Sequence, residues 1–194
     1  MKKYPLTLVE IMGVVALIVI LMVIAIGAYS YASDASKEKA TTATITRLNN
    51  ALATLNDQGV AGLRTTTTGN AGTNGYVPVK FDADNKKLYF GSTGIGEDAE
   101  AVFQLFARNM DADNIDSILD KDGFIVDGWG QQILIRFPGK FNRGGFDIIS
   151  AGSDGVFGED DGSASETVPP VDKEKYRNID GDGEIICDDV TNFL

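Results

Sequence analysis

An uninterrupted apolar run near the N-terminus constrains this chain more than any other feature of its sequence. No charged residue occurs from Ile11 to Ala32, and Glu10 stands immediately before the run. About 20 apolar residues, at ~1.5 Å rise per residue, span the ~30 Å hydrocarbon core of a bilayer. A charged side chain inside that core costs at least ~2 to 3 kcal/mol unless another group pairs with it. The sequence therefore predicts a membrane-spanning helix and a cationic partner for Glu10.

Three simpler interpretations of the run remain open. A secretory signal peptide has an apolar region of ~7 to 15 residues and contains no acid. A single-pass anchor explains the length of the run, and Lys2 and Lys3 explain an orientation with the N-terminus in the cytoplasm, but an anchor gives Glu10 no role. A helix buried in a soluble domain fits less well than either.

The segment Leu6-Thr7-Leu8-Val9-Glu10 and the run that follows it resemble the N-terminus of the type IV pilin and type II secretion pseudopilin superfamily. In that superfamily a prepilin peptidase removes a short basic leader, and the new N-terminus is methylated. The resemblance implies cleavage between Pro5 and Leu6, with Glu10 as the fifth mature residue. The liberated α-ammonium, with a pKa near ~8, would pair with Glu10 of a neighbouring subunit. Pro5 stands where the family has Gly, and Leu6 stands where it has Phe.

Beyond the run the helical pattern continues, with Ile45, Leu48, Leu52 and Leu55 at spacings of three and four. We expect one helix from Leu6 to Asn56, ended by Gly59 as a left-handed cap. The remainder, about 160 residues, is long enough for one compact domain. The predicted organisation is a leader at 1–5, a membrane or filament-core half-helix at 6–32, and a head domain at 33–194.

The head is predicted to combine a short helix with an antiparallel sheet. Residues 64–75 are rich in Thr, Gly and Asn and indicate a surface loop. Val102, Leu105, Phe106 and Met110 lie on one face of a predicted helix over 97–110. Turn residues separate three predicted strands, at 123–126, 132–137 and 146–150, which favours a meander. A long helix followed by strands gives an α+β fold.

Three head motifs are similar, in order, to those of the major pseudopilins of type II secretion systems. They are Asp127-Gly128-Trp129-Gly130-Gln131-Gln132 with the later Phe137-Pro138-Gly139, the stretch 146–155, and Asp189-Val190-Thr191-Asn192-Phe193. The first motif also has a purely structural interpretation. In it, Asp127 caps the backbone amides of a tight turn and Trp129 fills the core.

Charge and residue types exclude several function classes. The net charge is −11, and the segment from Asp154 to the C-terminus holds twelve acids and three bases. Such a chain is a poor partner for nucleic acid, since phosphate is bound by Lys and Arg. The chain has no histidine and one cysteine, Cys187, so no disulfide can form within it. Zinc sites of the usual Cys/His kind and His-dependent catalytic triads are therefore excluded. We expect Cys187 to be a small buried residue.

The acidic C-terminal region predicts calcium binding. Ca²⁺ takes six to eight oxygen ligands and tolerates irregular geometry. Asp154, Glu159, Asp160 and Asp161 lie in a Gly-rich loop that a cation would order. The resemblance implies that acids just before the C-terminal aromatic, here Asp188 and Asp189 before Phe193, close that loop.

The same region contains an insertion, at about 163–186, with a second candidate loop. Positions 1, 3, 5, 6, 8 and 12 of an EF-hand-like pattern are occupied by Asn178, Asp180, Asp182, Gly183, Ile185 and Asp189. Asp188 and Asp189 could serve either loop, which leaves one site or two. A solvated acidic tail that binds no metal is the alternative.

The resemblance implies a structural subunit rather than an enzyme. Such subunits leave the bacterial inner membrane with the help of an assembly platform and a cytoplasmic ATPase, and they polymerise into a periplasmic pseudopilus that drives protein export. The alternatives are a pilin or minor pilin of a surface fibre for adhesion, motility or DNA uptake, and a membrane-anchored calcium-binding module that never polymerises. Acid pairs such as Asp160 and Asp161 do not indicate catalysis, because a Gly-rich loop is a poor place to position them.

Overall fold

Helix α1 extends from Leu8 to Asp57 and joins the apolar run to the head in one element. The structure is a computed structural model that describes residues 8–65, 74–96, 98–110, 112–158, 169–170, 176, 187 and 189–193. The chain divides into two compact units, Met1–Ser36 and Lys37–Leu194. The predicted continuation of the helix past the apolar run is confirmed.

Helix α1 ends in a Schellman motif at Gly59, as its sequence predicts. Gly59 has φ of 70°, a left-handed conformation that costs glycine little. Its N–H donates to the Asn56 carbonyl at 2.9 Å, and the Val60 N–H donates to the Leu55 carbonyl at 3.1 Å. These two bonds satisfy carbonyls that the helix end would otherwise leave without donors.

The second half of α1 forms one wall of the head core. Its buried residues recur with helical spacing: Thr41, Thr44, Ile45, Leu48, Ala51, Leu52 and Leu55. The Thr41 and Thr44 hydroxyls donate to the carbonyls four residues earlier, at 2.9 and 3.0 Å, so they enter the core already hydrogen-bonded. Leu48, Leu52 and Leu55 are completely buried, and their burial fixes which helix face meets the sheet.

The sheet is antiparallel throughout and has six strands among the described residues. These are β1 (Val77–Asp82), β2 (Lys87–Phe90), β3 (Thr93–Gly94), β4 (Leu134–Arg136), β5 (Asp147–Ser150) and β6 (Val190–Thr191). Their spatial order is β3-β2-β1-β4-β5-β6. The β1–β4 pair in the middle, with Val77 opposite Ile135, joins the two three-stranded halves.

Strand β5 is covered on both of its faces. Ile148 belongs to the main core, which also contains the leucines of α1. Ile149 belongs to a second cluster with Tyr76, Phe157, Tyr176 and Phe193. Since neighbouring side chains of a strand point to opposite faces, β5 separates the two clusters.

Helix α2 spans Ala99–Asn109 and packs on β2. Asp98 caps it by accepting a hydrogen bond from the Ala101 N–H at 3.3 Å. Val102, Phe106 and Met110 are buried as predicted, but Leu105 is only partly buried. Phe103 takes its place and stacks on Phe81 at 4.2 Å between ring centroids. A 3₁₀ segment, Ala112–Ile118, follows.

The strand predictions were right at β4 and β5 and incomplete elsewhere. Residues 123–126 form isolated bridges, Lys80 with Phe124 and Leu119 with Ile125, instead of a continuous strand. Strands β1, β2, β3 and β6 were not predicted. Of the predicted loop at 64–75, the described part includes Thr65, which is fully buried and donates from its N–H to the Phe137 carbonyl at 2.9 Å.

The candidate assembly helix and acidic loop

Every described residue from Leu8 to Ala32 is exposed. The large apolar side chains of this stretch, from Leu8 to Tyr31, are between 45% and 80% exposed. This is the one helix among the described residues that is long and apolar enough to cross a membrane, judged by length and composition alone. A helix that is apolar on all sides needs lipid or protein around it.

Glu10 lies in the first turn of α1 and is exposed. A carboxylate in that position interacts favourably with the helix macrodipole, typically by ~0.3 to 1 kcal/mol. This contribution is smaller than the cost of a charge in hydrocarbon, so the macrodipole alone does not make Glu10 compatible with a lipid interior. The predicted cleavage site, Pro5 and Leu6, lies outside the described residues, and the pairing of Glu10 with a neighbouring N-terminus stays a prediction.

The Asp127 turn joins α1 to the end of β5. Asp127 Oδ1 accepts from the Trp129 and Gln131 N–H groups at 2.9 and 2.8 Å, so the predicted capping role is confirmed. Its Oδ2 accepts from the Ser150 hydroxyl at 2.5 Å. The Gly128 N–H donates to Thr41 Oγ1 at 2.9 Å, which holds the turn against α1.

The prediction that Trp129 fills the core was wrong. The turn buries Asp127 and leaves the Trp129 side chain half-buried. A Cβ on Gly128 would lie 2.6 Å from the Lys37 carbonyl oxygen, so the backbone of the turn, rather than the indole, makes the close contact with α1. The large size of the Trp129 side chain was therefore a poor guide to its burial.

The structure describes both ends of the candidate calcium region and a hydrogen bond that joins Gly158 to Asp189. Asp154 is exposed at the start of the loop, and its Oδ1 accepts from the Val156 N–H at 2.8 Å. Asp189 Oδ2 accepts from the Gly158 N–H at 2.6 Å, which links the far end of that loop to the C-terminal segment. Cys187 is buried, as expected, and its thiol donates to the same oxygen at 3.4 Å.

The other predicted metal ligands lie outside the described residues: Glu159, Asp160, Asp161, Asn178, Asp180, Asp182 and Asp188. Within the described part of the chain, no group of three or more His, Cys, Asp or Glu side chains is placed to hold a metal ion. Asp154 and Asp189 can supply carboxylate oxygens, the ligand type that Ca²⁺ prefers. A calcium site in this region stays a prediction.

Aromatic rings anchor the C-terminal segment beside the acidic loop. Phe193 lies 4.7 Å from Phe141 and 5.4 Å from Tyr176, measured between ring centroids. The Tyr176 hydroxyl donates to the Pro170 carbonyl at 2.8 Å. Burial raises the pKa of Tyr176 well above its ordinary value, and nearby Tyr76 and Asp189 raise it further.

Two residues that organise this region were not singled out in the sequence. Asp147 is completely buried and accepts from the N–H groups of Lys140, Phe141 and Asn142 at 2.5, 3.0 and 2.7 Å. An acid directly before two isoleucines, and two positions after a Gly pair, was the available signal. Burial and the Asp147 carboxylate raise the pKa of Tyr76, whose hydroxyl makes no well-formed hydrogen bond to the described residues.

Asn192 is the second such residue, and it extends the short strand β6. Its Oδ1 accepts from the Ile148 N–H at 2.8 Å, and its Nδ2 donates to the Phe146 carbonyl at 2.9 Å. The side-chain amide thereby continues the hydrogen-bond ladder past the two residues of the strand. A lone Asn near a C-terminus gives no sequence signal of this role.

Searches against protein-family models, curated proteins and solved structures find no match to this chain.

Proposed function

We propose that the protein is a structural subunit of a helical, pilus-like filament, closest in type to the pseudopilus of a type II secretion system. The proposal rests on a contrast in burial between the two halves of α1. Residues 8–32 expose apolar side chains on all sides, whereas the second half of the helix is committed to the head core. The exposed half is available to lipid before assembly and to copies of itself afterwards.

Apolar burial would supply the cohesion of the filament. Burying an exposed Leu, Ile, Val or Met side chain is worth ~1.5 to 3 kcal/mol. The run holds more than a dozen such side chains, each at least 45% exposed. No large apolar side chain of comparable exposure occurs in the described part of the head, which makes the helix the natural assembly surface.

Glu10 would set the stagger between subunits. Cleavage between Pro5 and Leu6 would create an α-ammonium, and pairing it with Glu10 of a neighbour would neutralise two charges that assembly removes from water. Breaking such a buried pair typically costs ~3 to 5 kcal/mol. The partners that this role requires are a prepilin peptidase, an inner-membrane assembly platform and further copies of the chain.

Calcium would order the acidic region of each head. The Gly158–Asp189 hydrogen bond supports this part of the proposal, because it joins the loop that begins at Asp154 to one C-terminal acid, Asp189. A divalent cation bound to these acids would also reduce repulsion within the segment from Asp154 to the C-terminus, which carries a net charge of −9.

The same features fit a pilin or minor pilin of a surface fibre. Many such pilins have a pair of cysteines in the head, and this chain has Cys187 alone, which favours the pseudopilin. A calcium-binding module that stays anchored is the remaining candidate, since Pro5 occupies the family's Gly position. Mass spectrometry of the mature N-terminus separates it: a chain that begins at Leu6 supports assembly, and an intact leader supports the anchored module.

The substitution Glu10→Ala tests the filament proposal directly. We expect it to abolish filaments in electron micrographs while the protein still partitions into membranes. Glu38→Ala is the matched control, because Glu38 is an exposed acid on the same helix outside the apolar run. Normal filaments from Glu10→Ala would refute the pairing, and absence of filaments from the processed wild type together with its assembly platform would refute the proposed function.

A further inference from the structure

We propose that Tyr29 and Tyr31 form a collar at the outer surface of a lipid bilayer, and that this collar fixes the depth of α1 so that Glu10 lies at the inner headgroup boundary. The inference rests on the proposed function, because it concerns the membrane-resident subunit before assembly. It changes where the carboxylate is placed: beside the hydrocarbon core rather than within it.

The two tyrosines are among the most exposed side chains of the helix. Tyr29 is 78% exposed and Tyr31 is 80% exposed. At ~100° per residue their side chains leave the helix about 200° apart, on nearly opposite sides. One protein partner docked on one side of α1 could not cover both, whereas a planar boundary that surrounds the helix meets both at the same height. Tyrosine is enriched at that boundary because its ring is apolar and its hydroxyl is wet.

The spacing between the tyrosines and Glu10 matches a bilayer. Residues 11–28 carry no charge and span ~27 Å as a helix. The hydrocarbon core is ~30 Å thick, and a modest tilt changes the match by only a residue or two. With Tyr29 at one boundary, Glu10 falls within about one helical turn of the other, close enough for its side chain to reach the headgroups.

The even exposure of the apolar side chains along the run also indicates that lipid surrounds it. The large apolar side chains from Ile11 to Ile26 are between 45% and 70% exposed, with no face set apart by packing. Polar residues begin at the collar itself, with Ser30 between the two tyrosines, and continue at Ser33 and Asp34, as expected where a chain leaves the hydrocarbon. A soluble amphipathic helix would instead show one polar face along the same stretch.

This placement has an energetic consequence for assembly. In the membrane Glu10 would keep much of its hydration, so the resting subunit would bear little of the cost of a buried charge. The cost would arise when α1 moves out of the bilayer into a filament interior, and the partner ammonium would then compensate for it. Pairing would thus act as a condition on assembly and would have little influence on membrane insertion.

Depth measurements in vesicles test the collar. The full-length chain with Cys187→Ala receives a single fluorescent label through Val9→Cys, or through Ile20→Cys as the mid-bilayer control. Each is inserted into vesicles of phosphatidylethanolamine and phosphatidylglycerol that contain nitroxide-labelled lipid. We expect a headgroup nitroxide to quench residue 9 more than an acyl-chain nitroxide does, and the reverse order for residue 20. Stronger acyl-chain quenching at residue 9 would overturn the placement.

A paired substitution then tests the tyrosines themselves. Tyr29→Ala with Tyr31→Ala should change the quenching ratio at residue 9 by about twofold or more, since the helix can then slide or tilt. Tyr29→Trp with Tyr31→Trp keeps an interfacial aromatic at both positions and should preserve the wild-type ratio. An unchanged ratio in the Ala pair would overturn the collar. Neither measurement involves filaments, so failure here leaves the filament proposal to its own micrographs.

Discussion

Asn192 donates from its Nδ2 to Asn49 Oδ1 at 3.1 Å, which ties the end of the last strand to the C-terminal part of α1. The same amide bonds to the backbone of Phe146 and Ile148. One side chain thus connects three segments that are far apart in sequence. The two-residue strand β6 depends on it, because a ladder that short has few hydrogen bonds of its own.

Asn192→Ala should lower the free energy of unfolding of the head by ~2 to 3 kcal/mol, since it leaves the Ile148 N–H and the Phe146 carbonyl without this partner. Chemical denaturation of the full chain in detergent, followed by circular dichroism, measures the change. Asn50→Ala, at an exposed position on the same helix, is the control and should stay within ~0.5 kcal/mol of wild type. Equal losses of unfolding free energy in the two variants would contradict the role of Asn192 in joining these segments.

Calcium should raise the melting temperature of the head by mass action, equivalent to ~2.7 kcal/mol at a concentration 100 times the dissociation constant. For a chain of this size each kcal/mol corresponds to ~2 to 4 °C. Asp154→Asn should reduce the calcium-dependent shift and leave the melting temperature in chelator nearly unchanged, because Asp154 is exposed.

Asp189→Asn should affect the melting temperature in chelator more than Asp154→Asn does. Asp189 also accepts the Gly158 N–H, so its substitution should lower the melting temperature even in chelator. Asp84→Asn, an exposed acid in the β1–β2 turn, is the matched control and should change neither value. A wild-type scan that is the same in chelator and in millimolar calcium would remove the calcium part of the proposal.

The buried tyrosines predict an alkaline limit to stability. The pKa values of Tyr76 and Tyr176 are raised in the folded state, so unfolded tyrosines, with a pKa near ~10, lose their protons first. Their contribution is therefore unchanged below about pH 10 and falls above it, by up to ~1.4 kcal/mol per pH unit for each tyrosine. Denaturation curves at successive alkaline pH values, with tyrosinate absorbance as a second signal, measure this slope.

Phenylalanine substitutions separate the two tyrosines. Tyr176→Phe removes a hydrogen bond to the Pro170 carbonyl and should cost ~1 kcal/mol at neutral pH. Tyr76→Phe should cost less, since the Tyr76 hydroxyl has no well-formed hydrogen bond to the described residues. Each substitution should reduce the alkaline slope by about one proton. An unchanged slope in both variants would contradict the pKa assignments.

Gly128→Ala should destabilise the head by ~1 to 3 kcal/mol, because the new Cβ would meet the Lys37 backbone oxygen at 2.6 Å. The head should melt ~2 to 12 °C lower in a calorimetric scan. Gly27→Ala is the control: apart from the adjoining helix backbone, no atom of the described residues lies within 4 Å of the added Cβ, and the melting temperature of the head should not change. Tolerance of alanine at position 128 would show that the turn does not press against α1 as described.

Local patterns predicted the elements whose formation depends on local sequence. The helical spacing of Ile45, Leu48 and Leu52 and the glycine at position 59 identified α1 and its end. Strand β1 was missed although Val77, Val79 and Phe81 alternate with less buried residues, so a sufficient signal was present there. Strand β6 had no such signal, because it depends on long-range contacts of Asn192 with β5 and Asn49.

The candidate sites divide in the same way. The position of Glu10 relative to the apolar run is a property of the sequence and needs no tertiary contact. The meeting of the Asp154 loop with Asp189 is tertiary, and only the resemblance to pseudopilins anticipated it. The buried role of Asp147 depends on three amides of a neighbouring turn, which a linear pattern does not reveal.

The two halves of α1 differ in burial along one continuous helix, and their sequences should therefore change differently during evolution. Up to about Ser36 no side chain of the described residues is buried in the head core, so exchange among Leu, Ile, Val and Met should be tolerated there more often than in the second half. From Thr41 onward the buried face meets a shaped core, where the loss of a single methylene is felt. Close homologues should therefore vary in the first half of α1 while keeping it apolar. In the second half they should keep the individual buried side chains.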